Sequence, residues 1–169
     1  LELGDFTARL LPFLEDAGVL SGSPSLGELG RLKDVAELIQ TRIGTLVESV
    51  PLVAPFFVAD DDLVVSEDAR AGLADNAGEV LDAALVALDP IDDSGRGVLG
   101  SESDWNAAGI ESALREAIVD GMGIKARFAF GPLRAAVSGA RISPPLFESM
   151  EILGKHSTLQ RLQRLRDSL

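Results

Sequence analysis

The stretch Ser66-Glu-Asp-Ala-Arg-Ala-Gly-Leu-Ala-Asp-Asn-Ala-Gly-Glu-Val-Leu-Asp-Ala-Ala-Leu-Val-Ala-Leu88 decides the fold class. Ser66 is a helix-capping residue, and Glu67 and Asp68 follow it in the first turn, where the helix dipole favours negative charge. Leu73, Ala77, Val80, Leu81, Ala84, Leu85 and Leu88 then recur at intervals that place them on one face of a helix. The spacing predicts a helix over 66–88, closed by Asp89-Pro90, because proline cannot continue it.

The same period extends in both directions. Phe6, Leu10, Leu11, Phe13 and Leu14 predict a first helix ending on a glycine cap at Gly18. Leu29, Leu32, Val35, Leu38, Ile39, Ile43, Leu46 and Val50 predict a long amphipathic helix over 26–50, with Gly44 as its weak point. Beyond the 66–88 helix, Asp92-Asp93-Ser94-Gly95-Arg96-Gly97 reads as a loop. Asn106 is placed to cap a helix with Ile110, Ala113, Leu114, Ala117 and Ile118 inward, ended by Gly121-Met-Gly123. A last helix is expected from about Ser157, with Leu159, Leu162, Leu165 and Leu169 on one side. No alternating strand longer than a few residues occurs. The expected fold is all-α, a helical bundle or cage of two small lobes, 1–100 and 101–169, without a substantial sheet.

Composition removes several classes of function. The 169 residues contain no Cys and a single His, His156, so disulfides, thiolate metal sites and multi-histidine centres are excluded. Asp60-Asp61-Asp62 and Asp92-Asp93 lack the alternating ligands of a calcium loop and read as solvated turns. There is no phosphate-binding glycine loop, no nucleophile elbow beside His156, and no apolar run near the roughly 20 residues of a membrane helix. The start, Leu1-Glu-Leu-Gly-Asp, is neither a signal peptide nor an initiator Met, so the chain reads as a piece of a longer, cytoplasmic protein.

The charge changes sign along the chain. The first 120 residues carry 7 basic and 24 acidic side chains, a balance of −17, whereas residues 121–169 carry eight Lys/Arg and three acids, +5; together they make the net −12. An acidic protein repels nucleic acid unless one end is built differently. At that end Arg134 and Arg141 flank the Gly139 turn, so two guanidinium groups are expected to project from one compact loop. Such groups suit stacking on a base and forking onto its edge or a phosphate. Ser143 before Pro144-Pro145 offers a hydroxyl at a helix start, with proline at the first helical position. Arg161, Arg164 and Arg166 on the final helix, with Arg141 and Lys155, can meet an RNA backbone without reading sequence. Composition alone equally allows Arg134 to pair with upstream carboxylates, and the terminal arginines to be a solvated face.

The residues Pro132-Leu133-Arg134, Ser138-Gly139, Ser143-Pro144-Pro145-Leu146-Phe147-Glu148 and Leu153-Gly154-Lys155 resemble, in order and spacing, the C-terminal anticodon-binding region of bacterial-type glutamyl-tRNA synthetases. Upstream, Gln40-Thr41-Arg42-Ile43-Gly44-Thr45-Leu46, Phe56-Phe57 and the segment from Trp105 to Glu116 resemble the same family more loosely. The resemblance implies that Arg134 contacts anticodon bases, that unstacked bases enter a pocket lined by Ser143, Pro144 and Leu146, and that a first-lobe arginine, for which Arg42 is the candidate, inspects a further base. Ser143 stands where some relatives have Thr.

The family's His-x-Gly-His and Lys-x-Ser-Lys motifs for ATP do not occur in this chain. By resemblance, catalysis with ATP and Mg lies elsewhere in the parent ligase, this piece has no cofactor, and its partner is tRNA, bound by a monomer with no membrane contact. Whether glutamine tRNA is also charged stays open. The alternative is a helical protein-interaction module presenting its acidic face.

Overall fold

The computed structural model describes residues 1–94 and 103–169, and every regular element among them is helical. Gly95, Arg96 and Gly97 of the expected loop, and the expected lobe boundary between 100 and 101, lie outside the described residues. Helix α1 (Leu3–Asp16) buries Phe6, Leu10 and Leu14, one residue per turn, and leads into Gly18 at φ 72°. Helix α2 (Leu26–Ile39) begins with a reciprocal cap: Ser25 accepts from the Glu28 N–H, and Glu28 accepts from the Ser25 N–H. It packs on α1 and buries Leu32, Val35, Ala36 and Ile39.

The long helix expected over 26–50 stops at Ile39. Glu48 folds back to accept from the Gly44 N–H and the Thr45 hydroxyl, so the chain starts a fresh helical turn at Leu46–Glu48 and continues as α3 (Ser49–Val53). Two further tight turns, Ala54–Phe56 and Asp60–Asp62, complete the crossing to the next helix.

The expected 66–88 helix is two helices. Ser66 caps α4 (Glu67–Ala71) by accepting from the Ala69 N–H, as its position predicts. The chain then leaves the helix at Gly72 and re-enters as α5 (Ala77–Leu88). Gly72 and Asn76 bracket a break that the apolar stripe conceals, since Leu73 and Ala77 still face inward across it. Trp105 precedes α6 (Ala107–Leu114), which Asn106 caps through the Gly109 N–H. The helix widens into π-type turns over Arg115–Asp120 and ends beyond them at Gly123, φ 69°.

After α7 (Ala126–Ala129) come α8 (Gly131–Ser138), α9 (Leu146–Leu153) and α10 (Lys155–Asp167), which starts two residues before the expected Ser157. Here too the structure departs from expectation. Gly131–Ser138 is a helix entered through Pro132, so Arg134 sits on a helix and not in a loop. Pro145 stands just outside α9, at its capping position, and the Ser143 hydroxyl donates to the Pro144 carbonyl without capping the helix.

One apolar core joins these elements. It includes Leu10, Leu32, Leu81, Trp105, Leu133 and Leu162, all buried. Helix α10 lies against α5, α8 and α9, and α6 lies against α5 and α9. Trp105 is buried with its indole N–H donating to the Met150 carbonyl at 3.0 Å, which also accepts from the Thr158 hydroxyl. That pair of bonds fixes the end of α9 relative to the α6 entry and to α10.

Gly139 is the position where backbone freedom decides the geometry. It ends α8 in the left-handed conformation, φ 72°, and a side chain there would meet the Val64 carbonyl at 2.3 Å. The close approach lets the Ser66 N–H donate to the Gly139 carbonyl at 2.8 Å, docking the 63–66 segment on the end of α8.

Candidate nucleic-acid interface

Helices α8 and α9 and the turn between them form one corner of the molecule. Its floor is apolar: Phe130 and Phe147 meet edge to face at 5.2 Å, and the Arg115 guanidinium lies 5.6 Å from the Phe130 ring. The Ser138 hydroxyl donates to the Arg134 carbonyl and accepts from the Ala140 N–H, turning the chain tightly out of α8. The 143–145 segment then crosses towards α9.

Arg134, Ser143, Pro144 and Leu146 all line a single notch at this corner, together with Val137 and Ser138 of α8, Ser149 and Leu153 of α9, and Pro55 and Phe56 from the distant 54–56 turn. Its free volume is about 10 Å³, room for about one water molecule. The notch is thus too small to enclose an aromatic ring. Arg134 also borders a second, roomier cleft of about 310 Å³, shared with Arg127, Phe128 and Arg141 on one side and Gly72 and Leu73 on the other. Phe128 is 63% exposed, and the Arg127 guanidinium stacks 4.6 Å from its ring centre.

The basic side chains of this end differ sharply in what they do. Arg161 is buried, its side chain 1% exposed, and four of its five N–H donors are engaged. Nε donates to the Asp60 carboxylate at 2.6 Å, Nη1 to the Pro55 and Val137 carbonyls at 2.8 Å each, and Nη2 to the Val58 carbonyl at 3.1 Å. Arg164 donates to the Asp60 and Leu63 carbonyls. Lys155 caps the end of α5 through the Asp89 and Ile91 carbonyls at 2.6 and 2.7 Å.

Arg166 pairs with Asp82 across the α5–α10 contact, and that hydrogen bond holds the Asp82 carboxyl below its ordinary value. Arg141 meets Asp68 at 3.4 Å, but both side chains are largely exposed, so water and salt screen the pair. The side chain of Arg134, half-buried at the rim, has no hydrogen bond or ion pair to any described residue. Arg42 is exposed in the turn after α2, also without a side-chain partner, and lines neither the notch nor the cleft.

Sequence reasoning missed Pro55, Phe56 and Asp60 as members of this neighbourhood. Pro55 and Asp60 are tied to it by Arg161, 106 and 101 residues further along the chain, a link that no local pattern carries. Among the described residues no three His, Asp or Glu side chains cluster to hold a metal ion, and no helix is long and apolar enough to cross a membrane.

On this all-helical domain the Arg134 side chain and the exposed Phe128 ring beside two clefts offer the kind of groups that suit unstacked nucleotides. Residues 5–166 match the family described as the anticodon binding domain, and the chain belongs to that family. It is 48% identical over 165 residues to a glutamate–tRNA ligase of Kineococcus radiotolerans, and 50% identical over 169 residues to that of Kocuria rhizophila. These alignments cover 98% and 100% of the chain but 31% of each relative, so the chain spans just under a third of their length. The fold also matches the crystal structure of a glutamate tRNA ligase from Elizabethkingia meningosepticum, with a TM-score of 0.74 at 15% identity, over all of this chain and 30% of that one.

Proposed function

We propose that this chain reads the anticodon of a tRNA as the C-terminal module of a cytoplasmic, monomeric glutamate–tRNA ligase. In this reading 1–100 and 101–169 form its two helical lobes. The attachment of glutamate with ATP and Mg takes place on other parts of the polypeptide. The observation that carries the reading is Arg134. Its guanidinium is half-buried and unpaired beside Ser143, Pro144 and Leu146, while Arg161, Arg164, Arg166 and Lys155 are held by protein groups. A guanidinium so placed can fork onto the edge of an unstacked base lying over the notch, with the apolar Pro144 and Leu146 surfaces beneath it.

Arg127, Phe128 and Arg141 around the wider cleft suit the neighbouring nucleotide and its phosphate. Arg42, exposed and without a partner, serves as the first-lobe contact. The alternative, protein-interaction reading has no specific observation in its favour, and Asp60 and Asp82 are already engaged by α10.

The test is binding of tRNAs that differ only in the anticodon, measured at low and moderate salt. The reading expects preference for one anticodon, weakening of overall affinity as salt rises, and loss of the preference in Arg134→Ala. Equal affinity for all anticodons, with and without Arg134, refutes it.

A further inference from the structure

We infer that Arg161 is a positioning residue for the anticodon site, holding two walls of the notch at a fixed spacing without touching RNA. The inference rests on the reading of that notch as the anticodon-facing surface. Arg161 Nη1 donates at 2.8 Å to both the Pro55 and the Val137 carbonyls, and Pro55 and Val137 each line the notch. One wall comes from the 54–56 turn and the other from α8, so a single planar group sets the distance between them. Arg134 lies one helical turn before Val137 on that same helix.

The chemistry explains why arginine occupies the position. Val137 is in the last turn of α8, where carbonyls lack an intrahelical donor and the helix dipole is negative. The Pro55 and Val58 carbonyls belong to tight turns that leave them without a helical partner, and both point to the same guanidinium. Asp60 compensates the charge from a carboxylate that is itself only 17% exposed. A rigid fork meets acceptors in several fixed directions, whereas an ammonium is a point charge on a flexible stem. Arg161→Lys therefore keeps the charge and loses the spacing. With its side chain 1% exposed, Arg161 has no surface to offer a phosphate.

The readout is the ratio of affinities for a tRNA with the preferred anticodon and one altered at a single base, measured on the full polypeptide that carries this chain. Loss of folded protein lowers both affinities together and leaves the ratio unchanged. Leu81→Ala, a cavity in the fully buried core of α5, serves as the control for lost stability. Arg161→Lys is expected to lower the ratio about tenfold, within the range a misplaced base contact costs, with the salt dependence of binding unchanged.

Asp60→Asn gives a second test if Arg161→Lys fails to fold. Removing an acid favours RNA binding electrostatically, yet a loosened clamp lowers the ratio all the same. A normal ratio in the variants tested, while Arg134→Ala abolishes it, overturns the positioning role and leaves the anticodon reading standing. The same holds if Arg161→Lys shows a shallower salt dependence at constant ratio, the signature of a phosphate contact. If Arg134→Ala also leaves the ratio unchanged, the anticodon reading itself fails and the inference with it.

Discussion

Helix α10 and the α8–α9 corner both carry positive charge, and they use it in different ways. On α10, Arg161, Arg164 and Arg166 donate to the carbonyls and carboxylates of residues 55–63, 82 and 137, and Lys155 caps α5. At the corner, the Arg134 side chain has no partner among the described residues, and Arg127 stacks on the exposed Phe128 ring. The surplus of +5 in residues 121–169 therefore overstates the charge available to a polyanion. Much of it already answers the acids and orphan carbonyls of the first half. The arginines without a buried protein partner at this end, Arg127, Arg134 and Arg141, gather around the cleft beside α8.

The largest expected effect breaks the comparison from the α10 side. Arg161→Ala removes one partner of a buried pair and strands three carbonyls, and should cost about 3–5 kcal/mol of stability. Denaturant unfolding measures it, and a loss under 1 kcal/mol would deny Arg161 its structural role. Next comes Gly139→Ala, which forces a side chain into a left-handed conformation against the Val64 carbonyl. It should cost about 2 kcal/mol or more by the same measurement, with 63–66 released from α8 and its amides exchanging faster.

Arg134→Ala sharpens the comparison from the other side. Its stability should change by no more than about 0.5 kcal/mol, while binding of the preferred tRNA weakens by about 1–3 kcal/mol. The smallest effect concerns Arg166 and Asp82. The folded state holds the Asp82 carboxyl below its ordinary value of 3.8, first through the hydrogen bond from Arg166. A group with a lowered folded pKa adds stability at neutral pH and loses that contribution as pH falls below the ordinary carboxylate range. Asp82→Asn should therefore differ from the parent protein slightly at pH 7 and less at pH 3, by denaturant midpoint.

Much of the architecture is legible from local chemistry. Ser66 and Asn106 cap the helices their positions predict, Gly18 ends the first helix, and the apolar stripes face the core. The break at 72–76 is hidden because the helical period of Leu73, Ala77 and Val80 runs across it undisturbed. The weak point at Gly44 is real, but the helix already stops at Ile39, because Glu48 folds back onto Gly44 and Thr45 in a competing hydrogen-bonding scheme. Arg134, Ser143, Pro144 and Leu146 come together as the family resemblance implies, but the notch they line is too small to enclose a base. Arg161 was the least legible residue. Arginines at 161, 164 and 166 look like one solvated face until the fold brings Asp60 and the Pro55 carbonyl beneath the first of them.

The most direct test compares Arg134→Ala with Arg166→Ala, each removing one positive charge from the basic end. The measured quantity is the ratio of affinities for tRNAs that differ at one anticodon base. Arg134→Ala should bring the ratio close to one, while Arg166→Ala keeps the parent value. Equal ratios in the two variants would mean that the corner offers RNA only charge, and would contradict the account.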